Sequence, residues 1–313
     1  MRCRRKELSV RPATKKSPRK PSCGMLDQRP ENRPERRKSM PASKQAPKST
    51  AHKLELFEYL RRPLMLEALA WLDLPPGGHG LEAGCGIGLH LEPLAKATAP
   101  AAQVTGVDLS HGLLEQARAL VRDKGLHETI RLEQADLNNL PFEPGSFDWV
   151  WSVDCAGYMP GPKAALAAGL ARVLKPGGIL ALMAYSSQQL LPGYPGLEAR
   201  LNATSAGQAP FKPTDPPGDH FLSLPGRLAQ AGLHDIRAKS FLAQFSAPLD
   251  PMSQKALLEL FDMRWGAARR ELAAKDRDLF DRLARQDSPD CILEQPGYYG
   301  FFSYTMFRAH KPA

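Results

Sequence analysis

A strand, a glycine turn and the start of a helix are compressed into Leu81-Glu82-Ala83-Gly84-Cys85-Gly86-Ile87-Gly88, and no other stretch restricts the fold as sharply. Apolar residues ahead of Gly84 predict a short buried strand. Glycines at alternate positions let the main chain turn with no Cβ in the way, so a ligand can lie against bare backbone. The helix that follows offers unpaired N–H groups and the positive end of its dipole. The common dinucleotide fingerprint is G-x-G-x-x-G. Begun at Gly84, that template is met at Gly84 and Gly86, but Leu89 stands where the third glycine belongs. The pattern is instead acid-x-G-x-G-x-G. Taken alone, the loop also suits a tight strand-to-helix turn that binds nothing.

Three further signals follow in order. Gln103-Val104-Thr105-Gly106-Val107-Asp108 is an apolar run ending in a carboxylate 24 positions after Gly84 (108 − 84), the length of one helix plus one strand. A carboxylate at that strand end can accept bonds from ribose hydroxyls; it can equally cap the next helix, as can Ser110. Ile130 to Leu137 predicts a third strand running into Asp136, and Phe147-Asp148-Trp149-Val150-Trp151 a fourth. Leu170 to Leu182 reads as a helix ending at Leu174, a Pro176-Gly177-Gly178 turn and a fifth strand.

The acid-x-GxGxG loop, Asp108, Asp136 followed by Leu140-Pro141-Phe142, and the Pro-Gly-Gly turn together resemble the motif series of class I S-adenosylmethionine-dependent methyltransferases of small-molecule type, over about residues 80 to 184. The resemblance implies a three-layer Rossmann-like α/β fold: a mostly parallel seven-stranded sheet with an antiparallel last strand, plus helical caps. It implies S-adenosyl-L-methionine as cofactor, held by Glu82, Gly84, Gly86, Gly88, Asp108, Leu109, Asp136, Leu137 and Ser152. In such proteins a leading helix often closes over the cofactor, which makes Tyr59 a candidate contact; a tyrosine packing on the helix surface is the rival reading. Ser152-Val153-Asp154-Cys155 replaces the Asn-Pro-Pro-Tyr of amino-methylating DNA and protein-glutamine enzymes, which argues against those substrates. Asp154, just past the fourth strand, is the candidate catalytic base or acceptor anchor, with a cap or turn role as the alternative.

Charge divides the chain. Residues 1–50 hold 16 Lys/Arg and 4 Asp/Glu, whereas the remainder holds 26 (42 − 16) and 29 (33 − 4), so the overall +9 belongs to the tail. That segment has hardly an apolar run and is read as disordered, or as the product of a mis-called start with the true one at Met25 or Met40. A nucleic-acid or anionic-membrane arm is the alternative. The slightly acidic remainder, 51–313, is a poor phosphate track.

Lys53 to Leu72 predicts an amphipathic helix kinked or restarted at Pro63. Residues 186–220 read as a long irregular segment suited to a lid, followed by a helix over 221–231 and a strand over 234–245. Residues 251–295 form a second, mostly helical cap addition, and 298–308 the last strand. Five widely spaced cysteines, with no CxxC and no Cys/His cluster, predict reduced thiols in a cytoplasm and no metal. No apolar run approaches a membrane span.

The expected activity is methyl transfer to a small-molecule acceptor. The alternatives are a nucleic-acid methyltransferase using the tail, a nicotinamide-dependent oxidoreductase, which Leu89 disfavours, and a non-catalytic nucleotide-binding module.

Overall fold

The computed structural model describes residues 48–155, 163–212 and 214–313. The basic tail, apart from its last three residues, and Gly157 and Tyr158 beyond the fourth strand lie outside the described residues.

Seven strands form one sheet: β1 (His79–Ala83), β2 (Gln103–Asp108), β3 (Ile130–Gln134), β4 (Phe147–Val153), β5 (Leu174–Gln189), β6 (His234–Ser246) and β7 (Tyr299–His310), in the order β3-β2-β1-β4-β5-β7-β6. β1 pairs in parallel with β2 and β4, and β4 with β5; β7 runs antiparallel to both of its neighbours, β5 and β6. The doubly wound sheet with an inverted last strand is therefore the one expected. Its order reverses between β1 and β4, which opens a crevice at their carboxyl ends, where ligands bind in such sheets.

Helices cover both faces. Side chains of β4 alternate as a strand must: Trp149 and Trp151 enter the core beneath the N-terminal helix, whereas Val150 joins the core on the opposite face. Both tryptophans are fully buried, each contributing on the order of 2–3 kcal/mol relative to exposure.

The leading helix α1 spans Lys48–Leu72 and includes Pro63 without a break, contrary to the expected kink or restart. Leu60, Leu64 and Met65 are buried on either side of the proline, so packing holds the axis where one helix hydrogen bond is missing. Short helices α2 (Leu91–Ala97) and α3 (His111–Asp123) follow β1 and β2, and α4 (Lys163–Val173) precedes β5. The Pro-Gly-Gly turn lies within β5: pairing with β4 shifts between Phe147↔Leu174 and Trp149↔Ile179, which makes it a bulge rather than a loop.

The 186–220 segment is more ordered than its composition suggested. β5 continues to Gln189, and α5 (Pro195–Asn202) and α6 (Ser205–Gln208) follow. The helix expected over 221–231 is a 3₁₀ turn plus α7 (Leu224–Gln230). The second addition supplies α8 (Pro251–Trp265) and α9 (Ala274–Leu283). Arg200 pairs both oxygens of Asp276 at 2.7 and 2.9 Å, joining α5 to α9. Trp265 Nε1 donates to Asn202 Oδ1 at 3.0 Å, joining α8 to the end of α5. The two additions thus form one cap, and α1 packs along α8 beside it.

Candidate active site

The glycine loop turns as the sequence requires. Gly84 and Gly86 have φ of +84° and +55°, in the left-handed region that side chains disfavour. Their surroundings differ. A Cβ on Gly84 would meet Cys155 Sγ at 2.5 Å, so that glycine serves close packing against the end of β4. A Cβ on Gly86 would meet nothing within 4 Å and would project into open space beside the loop. Gly88 packs against Leu91 and Ala117.

That open space is a cavity of about 500 Å³. Gly86, Ile87 and Leu113 line it, together with Leu54, Phe57 and Met263 from α1 and α8. Asp108 sits on its wall with both oxygens engaged by backbone: Oδ2 accepts from Gly86 N at 2.9 Å and Oδ1 from Ser110 N at 2.8 Å. The same carboxylate therefore fixes the loop and faces the cavity, and Ser110 Oγ caps α3 by accepting from Leu113 N.

Beneath the cavity runs a chain of buried charges. His90 Nδ1 bonds Glu82 Oε1 at 3.1 Å and its Nε2 bonds Glu58 Oε2 at 3.2 Å. Arg61 Nε donates to the same Glu58 oxygen at 2.8 Å, and Arg61 Nη1 donates to Asp154 Oδ2 at 2.6 Å and to Tyr304 Oη at 3.0 Å. Tyr304 also donates to Asp154 Oδ2, at 2.6 Å, and Tyr185 N to Asp154 Oδ1, at 3.2 Å. Burial alone would push the His90 imidazole down, but hydrogen bonds and charge from Glu58 and Glu82 outweigh it and hold it up at about 9. Burial works against the Glu58 carboxylate as well, yet His90 and Arg61 hold it below its usual range. Glu82 goes the other way, raised by burial despite His90. Its Oε2 has no hydrogen-bond partner among the described residues.

A second cavity of about 330 Å³, of mixed lining, lies under the cap, bordered by Ser187, Gln188, Asn202, Asp215, Phe211 and Phe221 among others. The two cavities share Asp154, Tyr185, Ala209 and Arg264. Asp154 holds φ +54°, a strained setting for a non-glycine residue, of the kind that gathers at functional sites.

Of the residues singled out from the sequence, Gly84, Gly86, Asp108 and Asp154 meet at the first cavity. Glu82 lies behind it through His90. Ser152 donates to Ala83 O at 2.7 Å inside the sheet, and Gly88 packs as described; neither lines the cavity. Asp136 Oδ1 accepts from Asn138 N at 2.9 Å and so caps the turn that contains buried Leu137, while Leu109 is exposed just past the end of β2. Tyr59 points outward and donates to Asp250 Oδ1 at 3.3 Å. Glu58, Arg61, His90 and Arg264 did not stand out in the sequence. The trace that was there is the Glu58/Arg61 pair one helical turn apart, next to apolar Phe57.

Residues 81–178 match a family model described as a methyltransferase domain. The chain is 38% identical over 111 residues to methyltransferase GfsG of Streptomyces halstedii, covering 36% of this chain and 39% of that protein. It is 36% identical over 129 residues to 27-O-demethylrifamycin SV methyltransferase of Amycolatopsis mediterranei, covering 41% and 45%. The chain therefore spans less than half the length of these curated relatives. In fold it resembles Haemonchus contortus phosphoethanolamine N-methyltransferase 2, solved with phosphomonomethylethanolamine and S-adenosylhomocysteine, at a TM-score of 0.50, 19% identity and coverage of 83% of this chain and 57% of that one. Residues 81–178 are thus similar to a methyltransferase domain, and the sheet described above has the Rossmann-like fold of the Haemonchus enzyme.

Proposed function

We propose that the protein transfers a methyl group from S-adenosylmethionine to a small organic acceptor. The observation that carries the reading is the meeting of bare backbone at Gly86 and the Asp108 carboxylate in one cavity that shares a wall with a second one. The residues suit the cofactor: Gly86 leaves room where a side chain would intrude, Asp108 offers a carboxylate for ribose hydroxyls, and Arg61 and His90 bring positive charge to the cavity wall. When bound, S-adenosylmethionine supplies a methyl on a sulfonium, a leaving group that needs alignment more than activation. Alignment is what the α1 network provides, since it fixes the end of β4 against β7 through Asp154 and Tyr304. We assign Glu82, Gly84, Gly86 and Asp108 to the donor side, with Asp154 as a fixed anion between donor and acceptor rather than a free base, because both of its oxygens already accept hydrogen bonds.

A small-molecule acceptor fits a cavity of about 330 Å³ roofed by α5, α6 and α8. The rifamycin relative's name points the same way. No helix among the described residues is long and apolar enough to cross a membrane. Cys85, Cys155 and Cys291 are free thiols, which supports a reducing, cytoplasmic setting. Radiolabelled methyl incorporation, compared across a metabolite extract, RNA, DNA and protein, tests the reading: label should enter the small-molecule fraction, and label confined to a macromolecule would refute it.

A further inference from the structure

Arg264 is a cation to which the methyl-transfer reading gives no task. It stands on α8 in the wall common to both cavities. Its guanidinium is held in place: Nε donates to Gln188 Oε1 at 3.1 Å, Nη2 to Gly207 O at 2.8 Å and Nη1 to Ala209 O at 3.3 Å, and its centre lies 5.0 Å from the Tyr185 ring centroid. All three acceptors are uncharged, and the guanidinium has more N–H donors than three bonds use. Among the described residues no carboxylate forms an ion pair with it. Asp154, in the same wall, is compensated by Arg61 at 2.6 Å. Asp215, Asp219 and His220 border the second cavity alone, and Asp219 is paired with Arg227 at 3.3 Å.

Among the described residues of the same wall, Asp154 is the one carboxylate, and it is tied to a cation. Asp154 Oδ2 accepts from both Arg61 and Tyr304. His220 lies off the shared wall, and its Nδ1 accepts from Leu222 N at 3.2 Å, which leaves the neutral ring's proton on Nε2. On that wall Arg264 is the group placed to favour loss of an acceptor hydroxyl's proton. A cation within about 4–6 Å lowers a pKa by about 1–3 units. That is far too little for an aliphatic alcohol, but it brings a phenol, ordinarily near 10, toward neutrality. At Tyr185 burial raises the phenol strongly, and Arg264 offsets part of that rise.

We propose that Arg264 binds the reacting oxygen of the acceptor as an oxyanion, so that the acceptor is an acidic hydroxyl compound, a phenol or enol, methylated on oxygen. This rests on the methyl-transfer reading. The hydroxyl proton leaves to solvent first. An oxygen lone pair then forms the O–CH₃ bond as the S–CH₃ bond breaks with its electron pair going to sulfur, so oxyanion and sulfonium become a neutral ether and a neutral thioether.

The test uses the full chain, saturated with S-adenosylhomocysteine, and 4-nitrophenol as probe, whose phenolate absorbs in the visible. The apparent pKa of the bound probe should fall by about one unit or more, Arg264→Gln should abolish the fall, and Arg264→Lys should keep part of it. In the unaltered protein, 4-nitroanisole, which cannot ionise, should bind about tenfold or more weaker than 4-nitrophenol; this comparison stands even if Arg264→Gln does not fold. Calorimetry on the same samples separates the two claims. Failure to bind S-adenosylhomocysteine would count against the methyl-transfer reading. Normal binding of it, with an unshifted probe, equal affinity for the anisole or a shift that persists in Arg264→Gln, would overturn the role of Arg264.

Discussion

At the scale of single residues, the glycine loop divides its work in a way the motif alone does not express. Gly84 and Gly88 are small because protein packs on them, and Gly86 is small because nothing does. Gly86→Val should therefore damage the donor site twice, by strain at φ +55° and by filling the cavity. Calorimetric titration with S-adenosylhomocysteine should show no binding while the circular dichroism spectrum stays native; retained binding would remove Gly86 from the donor site. Asp108→Ala should weaken donor binding by about 1–3 kcal/mol, since the charged acceptor it removes serves both the loop and the ligand. Asp108 was legible in the sequence because its spacing from Gly84 is set by the length of a βαβ unit. Its second task, accepting from Gly86 N, was not, because that contact depends on how β1 and β2 pair.

His90 makes a sharper case at the same scale. It is held at about 9 against an ordinary 6.5, so its proton stabilises the fold fully below about pH 6.5 and that contribution disappears as pH rises through 9. The melting temperature of the unaltered protein should thus exceed that of His90→Gln most near pH 6, with the gap shrinking toward pH 9.5. A gap that widens with rising pH would mean the imidazole is buried neutral.

Among the elements, α1 is the one whose importance the sequence understated. Its apolar spacing at Leu56, Leu60 and Leu64 correctly marks a buried stripe, but Glu58 and Arg61 read as an ordinary surface pair one turn apart. Both are buried, and they join the loop after β1 to the end of β4 and the middle of β7. Periodicity within a helix reports which face is apolar; it does not report which polar residues another strand's ends will cover. Arg61→Met should cost about 3–5 kcal/mol of stability, because Glu58 and Asp154 lose their shared cation in a buried setting. Glu58→Gln combined with Arg61→Met should cost less than the sum of the single changes, as expected of groups in one network. Chemical denaturation of the four proteins measures this, and strict additivity would show that the chain of contacts is not a unit. The cap illustrates the opposite limit. Its many prolines and glycines suggested an irregular lid, but α5 and α6 form there because Glu198 accepts from Leu190 N and Leu191 N, and Arg200 and Asn202 find partners on α9 and α8. The partners of Arg200 and Asn202 lie more than sixty positions away, beyond any local pattern.

For the whole molecule, the mostly parallel seven-stranded sheet and the inverted β7 were expected from the family resemblance that the motifs over about residues 80 to 184 carry, whereas the strand order and the crevice between β1 and β4 were not legible in the sequence. The acceptor cavity was not, because its walls come from β5, the α5–α6 segment and α8 together. Removing residues 1–47, ahead of α1, should leave melting temperature and donor affinity unchanged; a marked fall in either would show that the basic segment packs on the domain. What the first cavity binds identifies the methyl donor. Isothermal titration of the protein with S-adenosylmethionine, S-adenosylhomocysteine and NADH decides it. Both sulfur compounds should bind at a single site and compete with one another, with no heat from NADH. Saturable NADH binding, with no response to either sulfur compound, would contradict the central claim.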